Sequence, residues 1–414
     1  MKDIIFLPWR DIHNVRKEGF RVREGNVIKG LSEREDINKI LLINRARNLK
    51  TVLNKTSSGM EVISDIWPNR EEVISIQGSK VYKINEKIYS LELPKYFVNK
   101  GDNQLETIPF FKHYLFHVIK KAANALQIEL ASKNTWVWST DLTREFVFKE
   151  LKKENAQCVT IFDTIDDLTH HKGYTEAQRE ANKKKYEVIG ENVDVVFSVS
   201  EANLKNLFGN YKIKKQCIEN GIDIKRFQRK NSQSNNNVKP VCGYVGVIES
   251  RIDFQLIKEV IRATPEIAYE FVGPIIIEGD ADLEEIKGLS NVTFSGPVSS
   301  EEVPNKILSF DICIMPHVLN SFTRSMSPLK FYEYMAAFKP IIMTNVPPAD
   351  KVGNISGVYI PHSVADWVSS INEALTLQKE QLKNDQERMN LIQSHSWDQV
   401  VNKMVIVVED NGHM

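Results

Sequence analysis

The stretch DICIMPHVLNSFTRSMSPLKFYEYMAAFKPIIMT, Asp311 to Thr344, decides the fold. It opens on a short apolar run, DICIMP, that ends at Pro316. A polar loop carrying His317, Asn320, Thr323, Arg324 and Ser325 follows. Helical spacing begins near Ser327, and Pro328 suits the first helical turn, where its missing N–H removes no bond. PIIMT then closes the stretch as a second apolar run. Strand, helix and strand in that order make a parallel βαβ unit.

The same alternation extends outwards. Before it stand the strand PVCGYVGV, a helix from about Phe254, the strands AYEFVG and NVTFSG, and a helix from about Ser300. After it come GVYIP and two closing helices. RKNSQSNNNVKP (Arg229–Pro240) has almost no apolar content and reads as a linker or exposed loop. Upstream, the apolar runs Asp3–Leu7, Lys39–Asn44, Thr135–Thr140, Cys158–Phe162 and Val193–Val199 read as strands, and Ser200 as a helix N-cap. A helix is expected from about Arg21, short strands across 61–93, and helical spacing from Ile108 to about Ala131. The fold class is therefore α/β, with two Rossmann-like doubly wound domains facing a central cleft. Their expected bounds are 1–225 and 226–393.

Composition agrees. A chain of 414 residues, 42% hydrophobic and 26% charged, is globular and long enough for two cores. No apolar run approaches the ~18 residues of a spanning helix. The run at the start of MKDIIFLPWRD is too short for a signal peptide. Cys158, Cys217, Cys242 and Cys313 lie far apart without a CxxC, which argues against a zinc site or a disulfide framework. A cytoplasmic protein is expected. The 54 basic and 54 acidic residues cancel, but unevenly along the chain. Residues 1–230 hold 40 basic and 31 acidic side chains (+9), and residues 231–414 hold 14 and 23 (−9). This asymmetry is either a solvated face or a contact with an anionic partner, such as a membrane surface or a phosphorylated acceptor. No RNP, helix-turn-helix or zinc-finger pattern accompanies it, so no nucleic-acid partner is expected.

Open α/β sheets bind ligands beyond the carboxyl ends of their strands, and helix N-termini attract anions. The loop and helix after DICIMP are such a place. There the free N–H groups of the first turn cradle a diphosphate, Lys330 adds a point charge, and Glu333 accepts hydrogen bonds from a ribose diol. Asp163, Asp166 and Asp167 follow the strand CVTIF. Carboxylates clustered there suit deprotonation of an acceptor hydroxyl, since like charges raise one pKa. An Asp-rich helix cap is the plainer reading. His170 and His171 read as surface residues. Asp280–Ala281–Asp282 is formally an Asp-x-Asp, but its acidic, glycine-bounded surroundings read as a turn. In IPFFKHYLFHVIKKAANAL (Ile108–Leu126), Phe111, Leu115, Val118 and Ala122 form an apolar stripe widened by Phe110, Tyr114 and His117. Core packing is the default for this segment. The other reading is a membrane-contacting face that uses Lys112, Lys120 and Lys121.

SPLKFYEYMAAFKPII resembles the donor-site element of GT-B fold glycosyltransferases of the family-4-like (group 1) kind, in the branch lacking the first residue of its Glu-x7-Glu pair. Ser325 stands in that first position and Glu333 in the second. Four further elements are similar in order and spacing. They are ENGIDIKRF (Glu219–Phe227), GYVGVIESRIDFQLI, FSGPVSSEEVP, and SHSWDQVV (Ser394–Val401), the last leading a C-terminal helix, 394–414, back onto the first domain. The start, LPWRDIHNVRKEGFRVRE, together with FDTIDD, resembles enzymes of anionic cell-wall and surface polysaccharides, including teichuronic acid biosynthesis glycosyltransferases.

The resemblance implies a donor site of Gly246, Arg251, Pro297, Val298, His317, Thr323, Ser325, Ser327, Pro328, Leu329, Lys330 and Glu333. It implies an acceptor side with Arg10, Gly19 and Arg21, and places Asp163 and Asp166 as catalytic candidates. Arg251 departs from the family pattern, because GVIESR replaces the usual glycine–arginine pair. The implied function is transfer of a sugar from a nucleotide diphosphate-sugar, with UDP-sugar favoured, to a glycan or polyprenyl-diphosphate-linked acceptor at the inner membrane face. No metal and no separate cofactor are expected. A nucleotide-sugar epimerase on the same fold, or an inactive partner subunit, are the competing readings.

Overall fold

The structure, a computed structural model, describes residues 1–10, 22–48, 70–99, 105–170, 174–228, 239–352, 355–377 and 379–411. The chain divides into two compact units, residues 1–218 with 401–414, and residues 219–400.

The first unit is built on a nine-stranded sheet, with a short two-stranded pair, Arg47–Asn48 and Val98–Asn99, beside it in sequence. The strands of the sheet are β1 (Lys2–Leu7), β2 (Ile37–Ile43), β3 (Glu71–Ile76), β4 (Ser79–Lys83), β5 (Ile88–Glu92), β6 (Thr135–Ser139), β7 (Val159–Thr164), β8 (Val195–Ser198) and β9 (Lys214–Cys217). Their order is β9-β8-β7-β6-β1-β2-β5-β4-β3. Pairing is parallel from β9 to β5, and β1 lies in the middle, with Ile4 opposite Ile40 on one side and Trp136 on the other. Central parallel strands are covered on both faces, which is why IIFL and TWVWS are continuous apolar runs. The β3–β4–β5 edge is antiparallel. Its tight turn uses Gln77 (φ 48°) and Gly78 (φ 85°), the paired positive φ of a two-residue hairpin loop.

Helices α1 (Arg23–Glu33), α2 (Pro109–Ala125), α3 (Glu145–Lys153), α4 (Glu176–Asn192) and α5 (Glu201–Phe208) belong to this unit. The α2 stripe is core: Phe111, Leu115, Val118 and Ala122 are buried with Phe116 and Ile119. Ser200 caps α5, accepting from the Asn203 N–H at 3.2 Å.

The second unit carries β10 (Val241–Val245), β11 (Ala268–Val272), β12 (Val292–Gly296), β13 (Ile312–Met315), β14 (Ile341–Met343) and β15 (Val358–Tyr359). All are parallel, in the order β12-β11-β10-β13-β14-β15. Its helices include α6 (Phe254–Ala263), α7 (Ala281–Lys287), α8 (Val303–Ser309), α9 (Ser321–Arg324), α10 (Leu329–Ala336), α11 (Val364–Thr376) and α12 (Gln386–Ser394). A long α13 (Trp397–Asn411) starts here, and its residues from 401 onward belong to the first unit. There Arg34 Nη1 donates to Asn402 at 3.1 Å. The sequence reading has two helices after GVYIP, whereas the structure has more. Asp385 caps α12 by accepting from the Arg388 N–H at 2.8 Å, which starts a separate helix.

The Asp-x-Asp segment begins α7 rather than a turn. Asp280 is its N-cap, accepting from the Leu283 N–H at 3.0 Å, and Asp282 pairs with Lys258 of α6. The linker Arg229–Pro240 lies almost wholly outside the described residues, as does His171. Among the described residues, no helix is long and apolar enough to cross a membrane, and no group of three His, Cys, Asp or Glu side chains is placed to hold a metal ion.

Candidate functional site

The loops at the carboxyl ends of β10 and β13 meet through the backbone. Ile252 and His317 form an antiparallel bridge, the Val318 N–H donates to the Arg251 carbonyl at 2.9 Å, and the Asp253 N–H to the Pro316 carbonyl at 2.7 Å. His317 is thereby drawn under the Gly246 loop and is 1% exposed. Thr344 fixes its backbone, with its hydroxyl accepting from the His317 N–H (3.1 Å) and donating to the His317 carbonyl (2.8 Å). Burial, then the charges of Lys330 and Arg251, hold the imidazole pKa well below its ordinary value, so the ring is neutral at pH 7. Its Nε2 is buried without a hydrogen-bond partner.

Lys330, in the first turn of α10, lies with Nζ 4.7 Å from the Tyr244 ring centroid. Gly246 is the residue that admits it. With φ +151°, a Cβ there would lie 3.1 Å from both Cε and Nζ of Lys330. Arg251 forms an ion pair with Glu249 of the same loop. Two fixed cations, a neutral buried histidine and an open glycine backbone thus converge on one spot. That arrangement suits a polyanionic ligand.

Helix α10 itself begins at Leu329, two residues beyond Ser327. Pro328 is the N-cap and supplies no side-chain hydrogen bond, whereas Asp253, Asp280, Asn320, Ser363 and Asp385 cap other helices of this unit with theirs. A helix start without a side-chain cap, with the positive helix end behind it, favours an anion. Ser327 is fixed by Asn220, whose N–H donates to the Ser327 hydroxyl (3.1 Å) and whose side-chain amide donates to its carbonyl (2.7 Å). Thr323 and Ser325 are buried and serve the loop: Thr323 completes a capping box with Asn320, and the Ser325 hydroxyl donates to the Phe322 carbonyl at 2.8 Å. Glu333 is 4% exposed on the buried side of α10. After β12, Pro297 is exposed and Val298 is half-buried against the core. The structure therefore brings Gly246, Arg251, His317 and Lys330 together, with Ser327, Pro328 and Leu329 at the head of the same helix. Tyr244, Glu249, Asn220 and Thr344 belong to this constellation and were not among the residues the sequence singled out. Each lay inside a quoted element: Asn220 in ENGIDIKRF, Tyr244 and Glu249 in GYVGVIESRIDFQLI, and Thr344 at the end of the stretch from Asp311.

In the first unit, Asp163 does not follow its strand, because β7 runs on to Thr164 and encloses it. It is 0% exposed and ion-paired with Arg23 at 2.9 Å. Asp167 accepts from the Thr169 N–H at 2.9 Å and contacts His170 Nδ1 at 3.0 Å, while Asp166 is half-buried and its carbonyl accepts from the Tyr186 hydroxyl at 2.9 Å. Asp163 and Asp167 are thus engaged with separate partners, and Asp163 is a tether rather than an open carboxylate. Arg10 is exposed, and its N–H donates to Glu24 Oε1 at 2.9 Å. The Trp9 N–H (3.0 Å) and the Thr140 hydroxyl (2.7 Å) donate to Oε2 of the same carboxylate. Burial raises the Glu24 pKa to about 7 against these bonds, so the loop after β1 hangs on a group that titrates near neutrality. Gly19 and Arg21 lie outside the described residues.

Comparison with known proteins bears on both units. Residues 239–376 match the family described as Glycosyl transferases group 1. A protein assigned as the teichuronic acid biosynthesis glycosyltransferase TuaH of Bacillus subtilis (strain 168) is 31% identical over 157 residues. That match spans 37% of this chain and 39% of the relative, so the chain is matched over well under half of its length. Among solved structures, sucrose-phosphate synthase from Thermosynechococcus elongatus is similar with a TM-score of 0.66 at 15% identity, covering 99% of each chain. Anabaena HepE in complex with UDP and glucose gives 0.65 at 12%, covering 99% of this chain and 100% of that one. A mutant of S. aureus TarM in complex with Fondaparinux, alpha-GlcNAc-glycerol and UDP gives 0.58 at 13%, with 99% and 100% covered. At such identities these likenesses show the fold, which is GT-B. Residues 239–376 of this chain thus match the glycosyl transferases group 1 family, and the chain as a whole has a GT-B fold.

Proposed function

We propose that the chain is a glycosyltransferase that moves a sugar from a nucleotide diphosphate-sugar, UDP-sugar foremost, to a glycan or lipid-linked acceptor in bacterial cell-wall or surface polysaccharide synthesis. The observation that carries this reading is the convergence of Lys330, Arg251 and neutral His317 on the open backbone of Gly246, within the residues that match the group 1 family. Preorganised cations and helix N–H groups stabilise the negative charge that grows on a departing diphosphate. The kinship with TuaH and the UDP-bound TarM and HepE structures support the donor and the pathway class.

On this reading the donor lies in the second unit and Glu333 holds its ribose. The leaving group is stabilised by Lys330, Arg251 and α10 without a metal ion, and the acceptor is met by the first unit, whose loop after β1 carries Arg10. The enzyme works in the cytoplasm, peripherally at the inner membrane face. A thermal-shift screen of UDP-, GDP- and dTDP-sugars, followed by donor turnover with and without a glycan acceptor, tests it. Acceptor-dependent release of nucleotide supports transfer. Acceptor-independent conversion of the sugar would make the protein an epimerase, and binding without any turnover an inactive partner.

A further inference from the structure

The loop after β10, GVIESR, holds one acid, Glu249, and it is spent on Arg251 of the same loop. The pair is half-buried, its side chains 23% and 29% exposed. Yet its bonding is incomplete. Arg251 Nη2 touches Glu249 Oε1, whereas Arg251 Nε is a buried atom without a hydrogen-bond partner. His317 Nε2, whose ring feels the Arg251 charge, is a second such atom. Buried polar atoms almost always find partners, so two unsatisfied ones on the joined loops after β10 and β13 mark a place where a polar ligand completes the bonding.

The chemistry of Arg251 and Glu249 differs in a useful way. Arg251, with Lys330 on the other side of Gly246, offers donors to phosphate oxygens. Glu249 offers only acceptors, which repel a phosphate and attract hydroxyl groups. Ser325 does not offer a charged acceptor in its place, since it is uncharged and its hydroxyl donates to the Phe322 carbonyl. We propose that the Glu249–Arg251 pair opens on donor binding, with Arg251 passing to the diphosphate and the released Glu249 carboxylate accepting hydrogen bonds from hydroxyls of the donor sugar. This rests on the nucleotide-sugar reading above and makes Glu249 the residue by which the site distinguishes a nucleotide-sugar from the bare nucleotide.

The test compares affinities by calorimetry for UDP against UDP-glucose, GDP against GDP-mannose and dTDP against dTDP-glucose, in the wild type and in Glu249→Gln. A hydrogen bond to a charged group corresponds to roughly a tenfold or greater change in affinity. The expected result is that E249Q binds the sugar nucleotide about tenfold more weakly, while the bare nucleotide binds as well as before or better, because Arg251 is no longer held. Arg251→Gln should weaken both ligands together. Deoxy-sugar donors give a second measurement that needs no variant. In the wild type, one of the deoxy positions should lose a similar factor. An equal effect of E249Q on nucleotide and sugar nucleotide, or none on either, overturns the role of Glu249 and leaves the donor site standing. Absence of binding of all six ligands to the wild type overturns the donor reading itself.

Discussion

Arg23 Nε donates to both carboxylate oxygens of Asp163, at 3.1 and 2.9 Å, and both side chains are closed off from solvent. The pair joins the head of α1 to the inside of β7, across 140 residues of chain. Removing one member of a buried ion pair leaves an uncompensated charge, which costs about 3–5 kcal/mol. Asp163→Asn should therefore lower unfolding free energy by about that amount, read by urea denaturation. Arg23→Met in the same background should recover part of it, because no charge is then stranded. If D163N leaves stability unchanged but abolishes turnover, Asp163 acts on substrate and its pairing is incidental.

Glu24 gives a pH prediction with a definite sign. Its carboxyl pKa is raised from 4.5 to about 7 by burial, so between those values the folded state holds a proton that the unfolded state has released. The contribution favours the fold below about pH 4.5 and is lost as pH rises through about 7. At roughly 1.4 kcal/mol per pH unit, the loss amounts to about 3 kcal/mol. Unfolding midpoints of Glu24→Gln, measured from pH 5 to 8, should fall less steeply than those of the wild type. Parallel curves would show that the carboxyl does not titrate in this window.

Asp163 and Glu24 also show where the sequence stops being readable. IIFL, TWVWS and the strands of the second unit announce themselves because parallel strands buried on both faces are largely apolar. Asp163 interrupts that pattern, so the apolar run CVTIF ends two residues before the strand does. What keeps an acid inside β7 is Arg23, a partner that periodicity cannot see. Helix α7 escaped for a different reason. Its seven residues are too few for a helical period, and its acids are balanced by Lys258 and Arg262 on a neighbouring helix. At the candidate site, Lys330 and His317 were legible from strand–loop–helix order. Tyr244, Glu249 and Thr344 act through contacts that only the folded loops create.

Glu333→Gln tests the ribose assignment. The residue is 4% exposed on α10, and the amide is nearly isosteric, so folding should survive. Loss of a charged hydrogen bond to the diol should weaken nucleotide binding by about 1.5–3 kcal/mol. Calorimetry with UDP, GDP and dTDP reads this directly, and undiminished affinity for all three removes Glu333 from the site.

Metal independence predicts that turnover persists in excess EDTA. On the proposed reading, Lys330, Arg251 and the head of α10, which lacks a side-chain cap, would supply positive charge to a leaving diphosphate. Activity lost on chelation and restored by Mg²⁺ or Mn²⁺ would reverse this assignment.

The membrane contact proposed for the first unit takes a different form once side chains are placed. Lys112 pairs with Glu145 at 2.9 Å and Lys120 with Glu154 at 2.6 Å, so two of the three lysines on α2 have their charge offset locally. Lys121 is exposed. Apolar side chains stand out more: Tyr96, Ile108 and Phe110 are 71%, 44% and 69% exposed, the last two at the start of α2. Fully burying a Phe or Ile side chain contributes about 1.5–3 kcal/mol, more than an offset lysine near a surface can. Sedimentation with anionic liposomes should therefore recover the protein at low salt and less of it at physiological salt. Phe110→Ser should reduce recovery more than replacing Lys112, Lys120 and Lys121 with Ser, and neither change should alter nucleotide affinity. The reverse ranking would return the contact to the lysines. No recovery at low salt would leave the charge asymmetry of the chain as a solvated surface.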